Sequence, residues 1–267
     1  MKNISILGCG WLGLPLAKSL LEKGFLIKGS TTSLEKISLL EQTGILTFKI
    51  FLDENEIHGD VESFLEKSEI LIIDIPPKLR GNRNENFVAK IQNLIPFIEN
   101  AKVEKVLFVS STSVYADDNS TITEAARPHP ETEGGKQLLE TEKLLQNNKN
   151  FKTTIVRFGG LIGGNRHPVY FLSGKQNLEN PETPVNLIHQ TDCIEIIQAI
   201  IEHDCFGEIF NAVAPFHPSR KDYYTQKATE FGLAIPEFDT TKPSVGKTIN
   251  SIKVESVLNY TFQQPCL

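Results

Sequence analysis

The sequence predicts a doubly wound α/β fold, a parallel sheet covered by helices on both faces, with a small C-terminal cap. Three observations carry that expectation. The chain opens on the apolar run Asn3–Leu7, breaks into Gly8-Cys9-Gly10-Trp11-Leu12-Gly13, and resumes with a helical pattern. Strand-like and helix-like segments then alternate through the first 160 residues. The strand-like segments are near-continuous aliphatic runs, the pattern of strands buried on both faces.

The first strand, over 3–7, feeds the glycine turn. Gly8 permits the tight turn, Gly10 lets the backbone approach a pyrophosphate, and Gly13 lets helix and strand pack closely. The helix that follows points its first N–H groups and its partial positive charge at the phosphates. Trp11 and Leu12 share that turn and are read with the glycines as cofactor contacts. A second strand over 25–29 completes a βαβ unit of the Rossmann type. Its end, Gly29-Ser30-Thr31-Thr32-Ser33, lacks the Asp or Glu that would bond the ribose 2′-OH of NAD. Ser30, Thr31 and Thr32, with Lys28 or Lys36 nearby, are placed to receive a 2′-phosphate, so NADP is expected ahead of NAD. No Arg stands there to clamp that phosphate, and Ser33 reads equally as a helix N-cap.

Residues 47–52 read as a strand ending at Asp53, which either contacts the adenine or simply ends the strand. A short helix spans 61–66. The strand over 69–75 is stopped by Pro76-Pro77, with Pro76 beside the cofactor. Residues 86–100 carry Phe87, Ile91, Leu94, Ile95 and Ile98 at helical spacing. A strand over 105–110, a helix over 133–147 and a strand over 153–157 close the core. Ligands in such sheets bind at the carboxyl ends of the strands, which here means loops 8–13, 29–33, 53–56, 76–86, 110–124 and 158–168. After residue 158, glycines and prolines punctuate an irregular stretch. A strand over 185–189 and a helix over 192–203 restore regular structure, and a helix over 221–231 follows. The expected organisation is a core over 1–158, a cap made of 159–184 and 206–267, and a strand and helix over 185–205 returning to the core.

The chain has 267 residues, 40% hydrophobic and 22% charged, with a formal net charge of −6. These values describe a soluble globular protein and argue against nucleic-acid or anionic-membrane partners. The first apolar stretch is used by the glycine turn and has no small-residue cleavage site, so it does not read as a signal peptide. No run is long enough for a membrane span. Cys9, Cys193, Cys205 and Cys266 are far apart and read as reduced thiols of a cytoplasmic protein. The six histidines show no ligand spacing, so no metal is expected.

Further along, Val109-Ser110-Ser111-Thr112-Ser113-Val114-Tyr115, Arg157-Phe158-Gly159-Gly160-Leu161-Ile162-Gly163 and Asn186-Leu187-Ile188-His189-Gln190-Thr191-Asp192 resemble segments of the extended short-chain dehydrogenase/reductase superfamily. Within it, Arg166-His167-Pro168-Val169 and the tail 211–218 resemble the group labelled NAD-dependent epimerase/dehydratase-like. The resemblance spans essentially the whole chain. It implies a Ser or Thr that holds the substrate oxygen, a Tyr as general acid/base, and a Lys four residues later that lowers the phenol's pKa and bonds the nicotinamide ribose.

Ser111 falls where the superfamily places its Ser/Thr. The Y-x-x-x-K window reads Thr132-Glu133-Gly134-Gly135-Lys136, so Lys136 matches and Thr132 replaces the tyrosine. An unassisted threonine hydroxyl has a pKa far above the phenol's value of about 10 and is no substitute for it. Tyr115, His129, Glu133 and His167 lie in predicted site loops as other sources of an acid. Arg166 and His167 are candidates for the substrate. Two functions follow: an atypical reductase or epimerase acting on a small or sugar-like substrate, or a non-catalytic NADP-binding regulator or redox sensor.

Overall fold

The computed structural model describes residues 2–77 and 85–266. Seven parallel strands form the central sheet: β1 (Asn3–Leu7), β2 (Leu26–Thr31), β3 (Leu46–Lys49), β4 (Ile70–Ile73), β5 (Lys105–Ser111), β6 (Lys152–Phe158) and β7 (Ile209–Ala212). Their spatial order is 3-2-1-4-5-6-7, so the winding reverses between β1 and β4. In such a sheet the crevice beyond the carboxyl ends at the reversal is where ligands bind.

The helices are α1 (Gly13–Glu22), α2 (Ile37–Glu41), α3 (Val61–Leu65), α4 (Phe87–Asn100), α5 (Glu133–Asn147), α6 (Val169–Leu172), α7 (Gln190–Glu202), α8 (Arg220–Glu230) and α9 (Ile252–Leu258), of which α6 and α8 pack in a separate cluster. One apolar layer joins Leu16 and Leu20 of α1 to Ile197 and Ile201 of α7 and Val254 of α9. The opposite layer joins Phe64 of α3, Ile91 and Leu94 of α4 and Leu145 of α5. All four residues of β4 are buried, as its unbroken Ile-Leu-Ile-Ile run requires.

Three segments depart from the sequence expectation. Residues 206–267, expected wholly in the cap, contribute β7, which pairs with β6, and α9, which packs into the core. The four residues of β7 form too short a run to read as a core strand without its partner. Residues 187–189, expected to return to the core, place Ile188 in it but pair with 160–162 in a separate two-stranded sheet. The strand expected over 47–52 splits. After Lys49 the chain leaves the sheet, and residues 51–52 form a hairpin with 57–58. Asp53 shapes that hairpin: its N–H donates to the Glu56 carbonyl at 2.9 Å and its carboxylate accepts from Asn55 N at 3.2 Å.

Beneath β5 and β6 lies a buried polar chain. Arg157 makes an ion pair with Glu142 at 2.5 Å, and Glu142 also accepts from the Ser110 hydroxyl at 2.6 Å. Arg157 donates to the Tyr115 oxygen at 2.6 Å, and that phenol donates to Asn211 at 3.0 Å. The chain therefore ties β5, α5, β6 and β7 together. Removing one charge of a buried pair strands the other, at a cost of about 3–5 kcal/mol. Glu142→Gln is expected to lower the free energy of unfolding by about that amount, measured by urea denaturation at neutral pH.

Candidate functional site

The three glycines of the turn after β1 differ in what surrounds them. Gly8 adopts φ +109°, and a Cβ there would lie 2.3 Å from the Asp74 carbonyl oxygen. A Cβ on Gly13 would lie 2.1 Å from the Gly8 carbonyl oxygen. Both glycines are demanded by packing within the protein. Gly10 is different: a Cβ there would meet nothing within 4 Å, and Gly10 faces a cavity of about 200 Å³. That space suits the close approach of a phosphate to backbone N–H groups at a helix start.

The cavity is lined on one side by Gly8, Cys9 and Gly10, and on another by Ser30, Thr31, Thr32 and Lys36. Its remaining walls are Ile50, Phe51 and Leu52, then Asp74, Ile75 and Pro76, with Lys90. Turn and strand are locked together: Gly8 N donates to the Ser30 hydroxyl at 2.9 Å and Cys9 N to the Ser30 carbonyl at 2.8 Å. Ser30 thus braces the turn. The Thr31 hydroxyl accepts from Ser33 N at 3.1 Å, while Thr32 and Lys36 are exposed at the rim.

Asp74, one residue past β4, is the functional candidate that sequence reasoning missed. A carboxylate ending a wholly apolar strand beside the glycine turn was a signal to be had. Burial pushes its pKa from the ordinary 3.8 up to about 8, against the lowering effects of a hydrogen bond from Gly13 N–H and of the Arg166 guanidinium. The neighbouring Cys9 thiol is pushed up to about 12 by burial and by Asp74. Lys90 was likewise missed. It is buried, paired with Glu85 at 2.5 Å, and lies 5.9 Å from the centre of the Phe51 ring.

The other expected site residues divide. Trp11 carries the Arg166 guanidinium 4.8 Å above its ring, and its carbonyl accepts from Gln190 at 2.6 Å. Leu12 is buried in the core. Asp53 is the hairpin residue described above and does not line the cavity. Residues 78–84 of the expected loop 76–86 lie outside the described residues. Ser111 accepts from Ser113 N at 3.1 Å and caps the short turn over 112–114. The first turn of α5 packs on that turn closely enough that a Cβ on Gly135 would lie 2.3 Å from the Ser113 carbonyl oxygen. The fold therefore does bring the 111–115 and 132–136 segments together. Thr132 is the N-cap of α5, its hydroxyl accepting from Gly135 N at 3.1 Å, and Lys136 is exposed.

Two expected roles meet a different placement. Tyr115 is buried, its phenol held between Arg157 and Asn211, and burial raises its pKa against the pull of Arg157. His167, expected beside Arg166 at the substrate, is buried in the cap. Its Nδ1 accepts from Val169 N at 3.1 Å, which leaves Nε2 to donate to the Tyr223 oxygen at 3.0 Å. Burial lowers its pKa to about 4, so the ring is neutral. Among the described residues, no three His, Cys, Asp or Glu side chains converge as a metal site would require, and no helix is long and apolar enough to cross a membrane.

No family model matches the chain. Protein YeeZ of Escherichia coli K12 is 32% identical over 268 residues, 99% of this chain and 97% of that protein. The chain belongs to the YeeZ family. UDP-glucuronic acid 4-epimerase from Bacillus cereus, solved with NAD, shares the fold at a TM-score of 0.81 and 17% identity over 98% of this chain and 92% of that one. A functionally unknown conserved protein from Silicibacter pomeroyi does so at 0.80 and 20% identity, over 99% and 95%. The fold is thus one that UDP-sugar 4-epimerases share, as the sequence resemblance implied.

Two outcomes test this geometry. Gly13→Ala drives a methyl into the Gly8 carbonyl and is expected to destabilise the fold by about 1–3 kcal/mol, whereas Gly10→Val fills only the cavity mouth and is expected to leave the melting temperature within about 2 °C of wild type. Asp74 is held protonated in the fold between pH 4 and 8 and ionised in the unfolded chain. Its neutral form therefore favours folding at low pH, and that contribution is lost as pH rises through about 8. Arg166, Cys9 and Cys193 are the charged or titratable groups that act on it or feel it, and both thiols stay neutral across this range. Asp74→Asn is expected to gain stability over wild type as pH rises from 5 to 8, measured by urea unfolding at each pH.

Proposed function

We propose that the protein binds NADP(H) across the Gly8–Gly13 turn, and that an oxidoreductase or epimerase of atypical short-chain type uses it on a small or sugar-like substrate. The observation that carries the binding half is Gly10. It is the one glycine of the turn whose missing side chain serves no neighbour in the protein and opens on the cavity. A dinucleotide there would run its diphosphate over Gly10 toward the start of α1. Its adenosine would lie along Phe51, Leu52 and Ile75, with the ribose at Thr31, Thr32 and Lys36. The preference for the 2′-phosphate is supported by Lys36 at the rim and by the lack of a carboxylate at the end of β2. That the Bacillus cereus epimerase was solved with NAD supports a nicotinamide dinucleotide and leaves the phosphate preference to these residues.

The nicotinamide, when bound, supplies hydride transfer. Ser111 would hold a substrate oxygen, and Lys136, in the first turn of α5, would meet the ribose. One observation favours the second reading, a binding protein without turnover. The hydroxyl that stands in the tyrosine position is spent on capping α5, and the nearby phenol of Tyr115 is buried in a structural network.

Calorimetric titration with NADPH, NADH, NADP and NAD tests the binding half. NADPH is expected to bind more tightly than NADH, and Lys36→Glu is expected to weaken NADPH by about tenfold while sparing NADH. Tighter binding of NADH by the wild type overturns the phosphate assignment. Thr132→Tyr tests the chemistry: it gives up a cap worth about 1 kcal/mol and is expected to create or raise NADPH-dependent carbonyl reduction, read at 340 nm. Thr132→Val is expected to lose only the cap. A wild-type turnover that Thr132→Val abolishes without unfolding would show the threonine to be an activated group.

A further inference from the structure

Arg166 was read from the sequence as a substrate residue, and the structure puts it somewhere more specific. It closes a tight hairpin with Gly163, each residue's N–H donating to the other's carbonyl at 3.0 Å. Gly163 at φ +138° and Gly164 at φ +54° supply the left-handed backbone that this turn needs. The next residue, His167, is plugged into the cap core by its bonds to Val169 and Tyr223. The arginine is therefore presented by a rigid mount. Its guanidinium lies over the indole of Trp11, a residue inside the glycine turn, and close enough to Asp74 to stabilise that carboxylate. Gln190 of α7 fixes the Trp11 carbonyl. An exposed arginine from the cap thus reaches a side chain of the glycine turn and a carboxyl that lines the cavity.

We propose that Arg166 is a cofactor residue, whose guanidinium clamps the dinucleotide's diphosphate from above the Gly8–Gly13 turn while Trp11 holds it by its face. This rests on the reading that the cavity takes NADP(H). Stacking engages the face of a guanidinium, whereas phosphate oxygens are bound by its N–H edges, so the two contacts are compatible. The diphosphate would then meet backbone N–H groups below and a fixed cation above. The hairpin that carries Arg166 continues into the cap's aromatic cluster of His167, Tyr223 and Phe231.

The test compares wild type, Arg166→Gln and Arg166→Lys by calorimetry with two ligands. NADPH carries the diphosphate; adenosine 2′-phosphate carries the adenosine half and no diphosphate. Arg166→Gln is expected to weaken NADPH by about 10- to 100-fold and to leave adenosine 2′-phosphate unchanged. Arg166→Lys, which keeps the charge and loses the fork, is expected to fall between. Quenching of Trp11, the single tryptophan of the chain, on NADPH addition to wild type gives an independent readout at the clamp. If Arg166→Gln binds NADPH as wild type does, or loses both ligands equally, the clamp is wrong and the cofactor reading survives. If the wild type binds neither NADPH nor NADH, the cofactor reading fails and takes the clamp with it.

Discussion

The site depends on one steric constraint, the approach of three backbone segments at the point where the sheet's winding reverses. Asp74 O, Gly8 and Gly13 pack so closely that side chains at either glycine would overlap main-chain oxygens. That packing sets the start of α1 against the carboxyl ends of β1 and β4 and so fixes where the helix N–H groups point. It also brings the Asp74 carboxyl within reach of Gly13 N–H and removes it from water. An anion-binding turn and a carboxyl held near neutrality are two results of the same close approach.

A second constraint acts deeper in the core and removes a candidate from the chemistry. Arg157 must be satisfied where it is buried, and Glu142, Tyr115 and Ser110 supply the partners. Asn211 completes the chain, and its buried Nδ2 has no hydrogen-bond partner among the described residues. A tyrosine serving as a general acid has to reach substrate and give up its proton near neutral pH. Tyr115 does neither in this setting, because its oxygen is enclosed and burial disfavours the phenolate. The short turn after β5 and the first turn of α5 still meet as they would in a working site, with Ser111 and Lys136 on them and no phenol at position 132.

The cap is a separate piece of packing. Ile162, Val169, Leu187, Tyr223 and Tyr224 form their own buried cluster, with His167 as a neutral ring among the aromatics. The Gly163–Arg166 hairpin extends from it to the Trp11 side chain of the glycine turn. Specificity for a substrate would be set by how this piece sits over the turn, and its aromatic and hydrophobic content gives no chemical group away.

The sequence alone determined the α/β class, the tight packing that Gly8 and Gly13 serve, most core elements, and the absence of an acid at the end of β2. These are local properties: β-branched runs, helical spacing and a glycine pattern act within a few residues. Tertiary structure decided the rest. It recruited Ile209–Ala212 to the sheet because β6 offered a partner edge. It turned Asp53 into a hairpin residue, Ser30 into a brace, and Tyr115 and His167 into buried hydrogen-bonding groups. It also raised Asp74 to prominence and set Arg166 over Trp11, 155 positions earlier in the chain. Burial and the pairing of distant residues shift acidity and orientation, and neither is written in a window of neighbouring side chains.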